Sequence, residues 1–222
     1  MLLLSADTSG KHGSIALAEC GPGDECRILE VVPLAGGTFS AQLVPQIAAL
    51  LQKHGFTKCD VGAFAVASGP GSFTGLRVGL AAIKALAEVL GKPIASVSLL
   101  EAVAAAATPA STVLAALDAG RGDIYVGEYQ ANRLTTFGEQ LLKTEEFLTA
   151  AKGRMVVTPH PLVADPARAA GLVVQVVQPP HSDAVARLGW KKIQSGETVS
   201  PVDLEVNYIR RSDAEIFAKT SS

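Results

Sequence analysis

The stretch Ala67-Ser68-Gly69-Pro70-Gly71-Ser72-Phe73-Thr74-Gly75-Leu76-Arg77-Val78-Gly79 decides the architecture, because it joins two opposite patterns. Before it, residues 61–67 form an apolar run without polar alternation, the mark of a strand covered on both faces. After it, residues 74–90 repeat apolar side chains at helical spacing until Gly91, with Pro93 just beyond, which is a helix stop. A buried strand, a glycine loop and a long helix make the first half of a right-handed crossover in a parallel sheet. The glycines permit positive φ and close backbone approach, and the free N–H groups at the helix start offer a candidate anion site. A nucleotide-gripping G-x4-G-K-[ST] loop does not fit: Gly69 and Gly75 are one residue too far apart, and Leu76-Arg77 stand where Lys and Ser/Thr belong. The residues read as a tight strand-to-helix connection with Thr74 as N-cap.

Upstream of this stretch, residues 2–6, 13–19 and 27–32 are short apolar or alternating runs. The first two are separated by Asp7-Thr8-Ser9-Gly10, the last two by a turn at 21–24. Three such runs predict an antiparallel meander. Residues 40–54 place Leu43, Ile47, Leu50 and Leu51 on one helical face and stop at Gly55. Downstream, residues 94–97 predict a strand and 99–107 a helix. After a junction at Thr108-Pro109-Ala110-Ser111 come strands at 113–118 and 123–130, a helix near 144–151, strands at 155–157 and 172–177, and a helix at 182–194. No sequence repeat is visible, so any duplication is structural. The order of the first half is similar to the ribonuclease-H-like half of the actin, sugar-kinase and Hsp70 superfamily. The expected fold is therefore α/β, ribonuclease-H-like or actin-like (ASKHA), with two lobes: residues 1–108, and a reduced second lobe of 109–222. Trp190 is expected to pack the second lobe.

On the helix at 74–90, Arg77, Lys84 and Glu88 share one narrow stripe at about 100° per residue, and the rest of the circumference is apolar or small. A surface helix keeps more polar surface than this. The expected explanation is burial on more than one side, by the lobe itself or by a second chain. The interface reading names Gly75, Leu76, Gly79, Leu80, Ala82, Ile83 and Leu86, with Leu43 and Ile47 from the preceding helix.

The 222 residues are 48% hydrophobic and 18% charged, with net charge −2; mean hydropathy is +0.30 and the pI near 6.1. No basic run is present, so independent binding to nucleic acid is not expected. Three cysteines, Cys20, Cys26 and Cys59, match neither a disulfide framework nor a zinc spacing. The N-terminal apolar run meets Asp7 too early for a secretory signal, and the chain is expected to be cytoplasmic without membrane contact. His12, His54, His160 and His181 lie far apart, and no H-E-x-x-H or G-x-S-x-G motif occurs, so no metal site and no catalytic residue are expected.

The motif S-G-P-G-S-F-T-G-L-R-V-G, running on into A-A-I-K-A-L-A, resembles the signature of the TsaB (YeaZ) family. Residues 3–8 with 13–17 are similar to the family's N-terminal strand pair. Leu117-Asp118-Ala119-Gly120-Arg121-Gly122-Asp123-Ile124-Tyr125 resembles its L-D-A-R-R-G-E-V-Y segment, and Asn207-Tyr208-Ile209-Arg210 its C-terminal Y-L-R. Phe39-Ser40-Ala41 departs from the family's frequent His-Ser-Glu, and Gly120 from its common Arg. The resemblance implies a non-catalytic scaffold that binds and stabilises the catalytic subunit TsaD. With the ATPase TsaE, that assembly transfers a threonylcarbamoyl group to N6 of adenosine 37 of tRNA. The tRNA is then met only through the complex, and the chain alone is expected to form a homodimer. In the superfamily, the turns at Asp7, Ser9 and Lys11 and at Asp118 and Gly120 are phosphate-hairpin positions. Here they read as vestigial, with the aspartates capping turns. No cofactor is expected, and weak ATP or ADP binding with magnesium at a partner interface stays open. The alternatives are a degenerate actin-like ATPase or small-molecule kinase, and a metallopeptidase-like protein.

Overall fold

The computed structural model describes residues 1–108, 112–130 and 133–209. The N-terminal runs form β1 (Leu2–Asp7), β2 (Gly13–Cys20) and β3 (Cys26–Leu34), followed by α1 (Phe39–Lys53), β4 (Val61–Gly69), α2 (Phe73–Leu90), β5 (Ile94–Ser98) and α3 (Leu99–Ala105). The sheet order is β3-β2-β1-β4-β5. β1 pairs antiparallel with β2 and parallel with β4, and the meander and crossover meet there. β1 is buried along its whole length, whereas the edge strand β3 is mostly half-buried or exposed.

The helices follow from their spacing. α1 buries Phe39, Leu43, Ile47, Leu50 and Leu51. α2 is capped by Ser72, whose hydroxyl accepts from Gly75 N–H, and ends at Gly91 with φ 61°. The N-cap is thus Ser72 and not Thr74, because the helix begins at Phe73, two residues before the start that a Thr74 cap implies. Leu80 and Ile83 fill the core with the side chains of β1 and β4, each contributing about 1.5–3 kcal/mol by leaving water, and Leu76 is buried as well.

The second half repeats this plan with shorter first and second helices. It runs β6 (Val113–Gly120), β7 (Asp123–Gln130), β8 (Arg133–Lys143), α4 (Thr144–Ala150), β9 (Met155–Thr158), α5 (Pro161–Ala169), β10 (Val174–Val176) and α6 (Ser182–Ser195). The sheet order is β10-β9-β6-β7-β8, with β6–β7 and β7–β8 antiparallel, β6–β9 and β9–β10 parallel. Read from β8, this is the order of the first sheet. α4 and α5 have 7 and 9 residues where α1 and α2 have 15 and 18, which is the physical content of a reduced lobe. β8 and α5 are absent from the sequence reading. The protein is an α/β fold of ribonuclease-H-like, actin-like type.

The lobe boundary differs from the sequence reading. One compact unit comprises Met1–Ala102 together with Pro179–Val206, and the other Val103–Gln178 together with the chain from Asn207 on. Residues 179–206, expected in the second lobe, belong to the first. There α6 packs on the first sheet: Gly189 lies so close to Ala65 that an added Cβ would sit 2.4 Å from the Ala65 Cβ. Trp190 accordingly packs the first lobe and donates its indole N–H to Gly21 O and Gly23 O, each at 3.1 Å. Among the described residues no helix is long and apolar enough to cross a membrane. Residues 109–111 of the expected junction, and Arg210 of the C-terminal motif, lie outside the described residues.

Candidate functional site

The β1–β2 turn carries the first set of candidate residues. Asp7 ends β1 and is only 5% exposed. Its Oδ1 accepts from Ser9 N–H at 2.9 Å and from Ser9 Oγ at 2.6 Å, closing the turn on itself. Burial pushes the Asp7 carboxyl above the usual carboxylate range, against the Ser9 hydrogen bonds and the charge of His181, which pull it down. The turn is seated on the start of α2. Thr8 Oγ1 donates to Gly75 O at 2.7 Å, and Ser72 N–H donates to Ser9 O at 2.6 Å. A Cβ at Gly75 would lie 2.1 Å from Thr8 O, and one at Gly79 2.3 Å from Thr8 Oγ1. The small residues of the long motif thus let the turn and the helix touch.

Beside this contact is a cleft of about 590 Å³, lined by the turn (Ser9, Lys11, His12), by Gly36, Gly37 and Ser40, and by Ser72 and Thr74 of the α2 start. Hydroxyls, one ammonium and helix N-terminal amides give it donors suited to an anion. Among the described residues, no group of three or more His, Cys, Asp or Glu is placed to hold a metal ion.

The nine residues expected at a partner interface separate into two sets. Leu43, Ile47, Gly75, Leu76, Gly79, Leu80 and Ile83 are buried in the lobe's own core, while Ala82 and Leu86 are half-buried. Apolar periodicity marks burial without saying who provides it, and here β1, β4 and the β1–β2 turn do. The face left outside is nevertheless apolar. On α1, Ala41, Val44 and Ala48 are exposed and fall within an arc of about 60°. On α2, Ala81, Ala85 and Val89 are exposed, with half-buried Val78 and Ala82, within about 100°. Val44 is 52% and Val89 78% exposed. The two helices pack against each other, so these strips adjoin. The polar stripe is used locally: Arg77 lies over the Phe73 ring at 3.7 Å, and Lys84 Nζ donates to Val202 O and Leu204 O at 3.2 Å each.

In the second unit Asp118 ends its antiparallel turn as Asp7 does, with Oδ1 accepting from Gly120 N–H at 2.9 Å. A residue absent from the sequence reading of this turn completes it: Asp118 N–H donates to His160 Nδ1 at 2.9 Å. Burial pulls the His160 imidazole below its usual range, and the Asp118 charge acts the other way. Nothing local in the sequence joins residues 118 and 160; the parallel pairing of β6 with β9 does. Of the other histidines, His54 pairs with Glu30 at 2.8 Å, and His181 precedes α6.

Residues 31–193 match the family model described as TsaD, tRNA N6-adenosine threonylcarbamoyltransferase. The chain is similar to the tRNA threonylcarbamoyladenosine biosynthesis protein TsaB of Escherichia coli K12, 29% identical over 96% of each chain. It is 34% identical to the TsaB of Bacillus subtilis 168 over 59% of this chain and 56% of that one, and so matches a little over half of that relative's length. Among solved structures, YeaZ from Pseudomonas aeruginosa superposes with TM-score 0.73 at 26% identity, covering 92% of this chain and 98% of the other.

Proposed function

This chain belongs to the TsaB (YeaZ) family, and from that premise we propose that it serves tRNA threonylcarbamoyladenosine biosynthesis as a non-catalytic subunit that docks a TsaD catalytic subunit. The observation that carries the docking is the outer face of α1 and α2. Two adjoining helices leave Val44, Ala48, Ala81, Ala85 and Val89 in water, whereas a surface helix ordinarily carries charge there. Small side chains on neighbouring helices allow another helix pair to approach closely, and a partner with the same fold offers such a pair. TsaE and tRNA are then met through the assembly, and in the absence of TsaD the same face pairs two copies of this chain about a two-fold axis.

The test is light scattering after size exclusion, on this chain with and without its cognate TsaD. Ala85→Arg combined with Val44→Arg is expected to abolish the mixed complex while leaving stability within about 0.5 kcal/mol, since both side chains are on the surface. A mixed complex that survives both substitutions would falsify docking through this face.

A second reading is favoured by the cleft beside Ser9 and Lys11: the lobe keeps weak binding of a nucleotide phosphate with magnesium. Calorimetry with ATP and magnesium tests it. Binding lost in Lys11→Ala supports it, and no heat at millimolar nucleotide removes it.

A further inference from the structure

Cys20 and Cys26 face each other across the β2–β3 hairpin, as Cα partners in its antiparallel register. The backbone says which kind of pair they form. Cys20 N–H donates to Met1 O at 2.8 Å, and Cys20 O accepts from the Met1 ammonium at 2.7 Å. Both polar groups of Cys20 therefore point to β1 and away from β3. Cys26 O likewise accepts from elsewhere, from Arg187 Nη1 at 3.0 Å. The pair is non-hydrogen-bonded, the closer of the two antiparallel kinds, with Cα atoms about 4.5 Å apart. A disulfide spans about 4.4–6.8 Å between Cα atoms, so the backbone is already placed for one. The side chains agree: the Cys20 thiol donates to Cys26 Sγ at 3.1 Å. Both residues are buried, while Cys59 is exposed and apart from them.

We propose that Cys20 and Cys26 are a redox-active dithiol that closes to an intramolecular disulfide by exchange with a small-molecule disulfide such as oxidised glutathione. Cys26 is the attacking group. The hydrogen bond from Cys20 and then the Arg187 charge pull its thiol down, while Cys20, which holds the shared proton in a buried place, is pushed up. When the turn at 21–24 opens locally and uncovers Cys26, which is 7% exposed in the closed fold, its thiolate attacks one sulfur of the oxidant, forming a mixed disulfide and releasing one glutathione thiolate. Cys20 then gives its proton to solvent and attacks Cys26 Sγ, and the second glutathione leaves as thiolate. Two protein thiols are oxidised, one disulfide is reduced to two thiols, and no other electron acceptor is needed. Once Cys26 is in the mixed disulfide it no longer carries charge, and the main cause holding the Cys20 proton is gone. The enclosed turn is already gripped by α6 through Trp190, through Gln194 Nε2 on Gly21 O at 3.0 Å, and through Lys191 on Asp24 at 3.0 Å. The bond therefore fixes an arrangement the fold already holds.

The test incubates the full chain with oxidised glutathione, blocks remaining thiols with iodoacetamide, and maps the peptides by mass. The peptides of Cys20 and Cys26 are expected joined, with Cys59 carrying glutathione or the alkyl group, and dithiothreitol is expected to return three alkylated cysteines. The thermal midpoint of the bridged form should rise on the order of 5 °C, a shift missing from Cys26→Ser. Cys59→Ser should bridge at the same rate as wild type. Glutathione that stops on Cys20 or Cys26 without bridging overturns the proposal. So does a dithiol that stays reduced while Cys59 reacts fully, or bridging that disappears in Cys59→Ser.

Discussion

The β1–β2 turn and the β6–β7 turn stand at the same place in two sheets of the same strand order, and each closes with an aspartate accepting the amide two residues on, at 2.9 Å in both. They differ in what surrounds them. The first is pressed onto α2, and its glycine partners, Gly71, Gly75 and Gly79, are dictated by contact: an added Cβ would meet Ser9 or Thr8 at 2.1–2.6 Å. The second is open. Gly120, Arg121 and Gly122 have φ of 73°, 60° and 77°, and nothing lies within 4 Å of a Cβ built on either glycine. Glycine is required in one turn by a neighbour and in the other by the sign of φ. The same backbone device becomes core where an 18-residue helix covers it and surface where the corresponding helix has 9 residues.

The largest effect should come from filling the first turn. In an unobstructed helix, Gly→Ala gains about 1 kcal/mol. At Gly75 the added methyl meets the Thr8 backbone carbonyl, which cannot rotate away, so Gly75→Ala is expected to lose about 3 kcal/mol in urea unfolding. Gly79→Ala meets a side-chain hydroxyl and should lose about 1.5 kcal/mol. That loss should shrink when Thr8→Ala removes the obstacle, giving a coupling of about 1 kcal/mol in a double-mutant cycle. A stabilised Gly79→Ala would break the contrast between the turns. In the second turn Gly120→Ala should cost only about 1 kcal/mol, the price of a left-handed backbone, and Arg121→Gly should gain a few tenths by relieving it. Equal losses at Gly75 and Gly120 would mean that contact does not separate them.

This contrast also marks how far the residues alone could be read. The meander, the buried β4 and the helix stops at Gly55 and Gly91 are local signals, and the first lobe was legible from them. β8 was not: Gly138, at φ 70°, and the register shift between Gly127 and Tyr129 interrupt its alternation. α5 was hidden by Pro161 and Pro166, which read as breakers although the first sits at a helix start and the second is tolerated inside. The place of α6 could not be read because its apolar face says that it packs and not on which sheet. The interface residues failed in the same way, since Leu76 and Leu80 carry the same periodicity whether their own sheet or a partner covers them. Cys20 and Cys26 were more accessible. They lie beside the turn at 21–24, but counting outward from it sets Cys20 opposite Glu25; the pair with Cys26 appears because the hairpin closes with Gly21 N–H on Glu25 O, one residue later.

The smallest effects concern protons, and here the two turns should respond with opposite sign. An unfolded Asp7 titrates near 3.8, and burial holds the folded carboxyl higher. Between those values the folded state keeps a proton the unfolded state has released, so this residue's contribution falls as pH rises and the cost is complete above the folded value. Asp7→Asn keeps an oxygen to accept from Ser9 and carries no such cost, so its urea midpoint relative to wild type should climb as pH is raised from about 4 and then level. An unfolded His160 titrates near 6.5, and burial holds the folded imidazole lower. Below 6.5 the unfolded state takes a proton that the folded one refuses, so stability is lost as pH falls, until the folded value is passed. Protonation also removes the lone pair that accepts from Asp118 N–H. His160→Gln retains an acceptor and should therefore gain on wild type as pH drops from about 7 to 5, by less than about 1 kcal/mol. If both variants drift in the same direction with pH, the two aspartate turns are not electrostatic opposites, and the burial difference that separates them does not reach their protons.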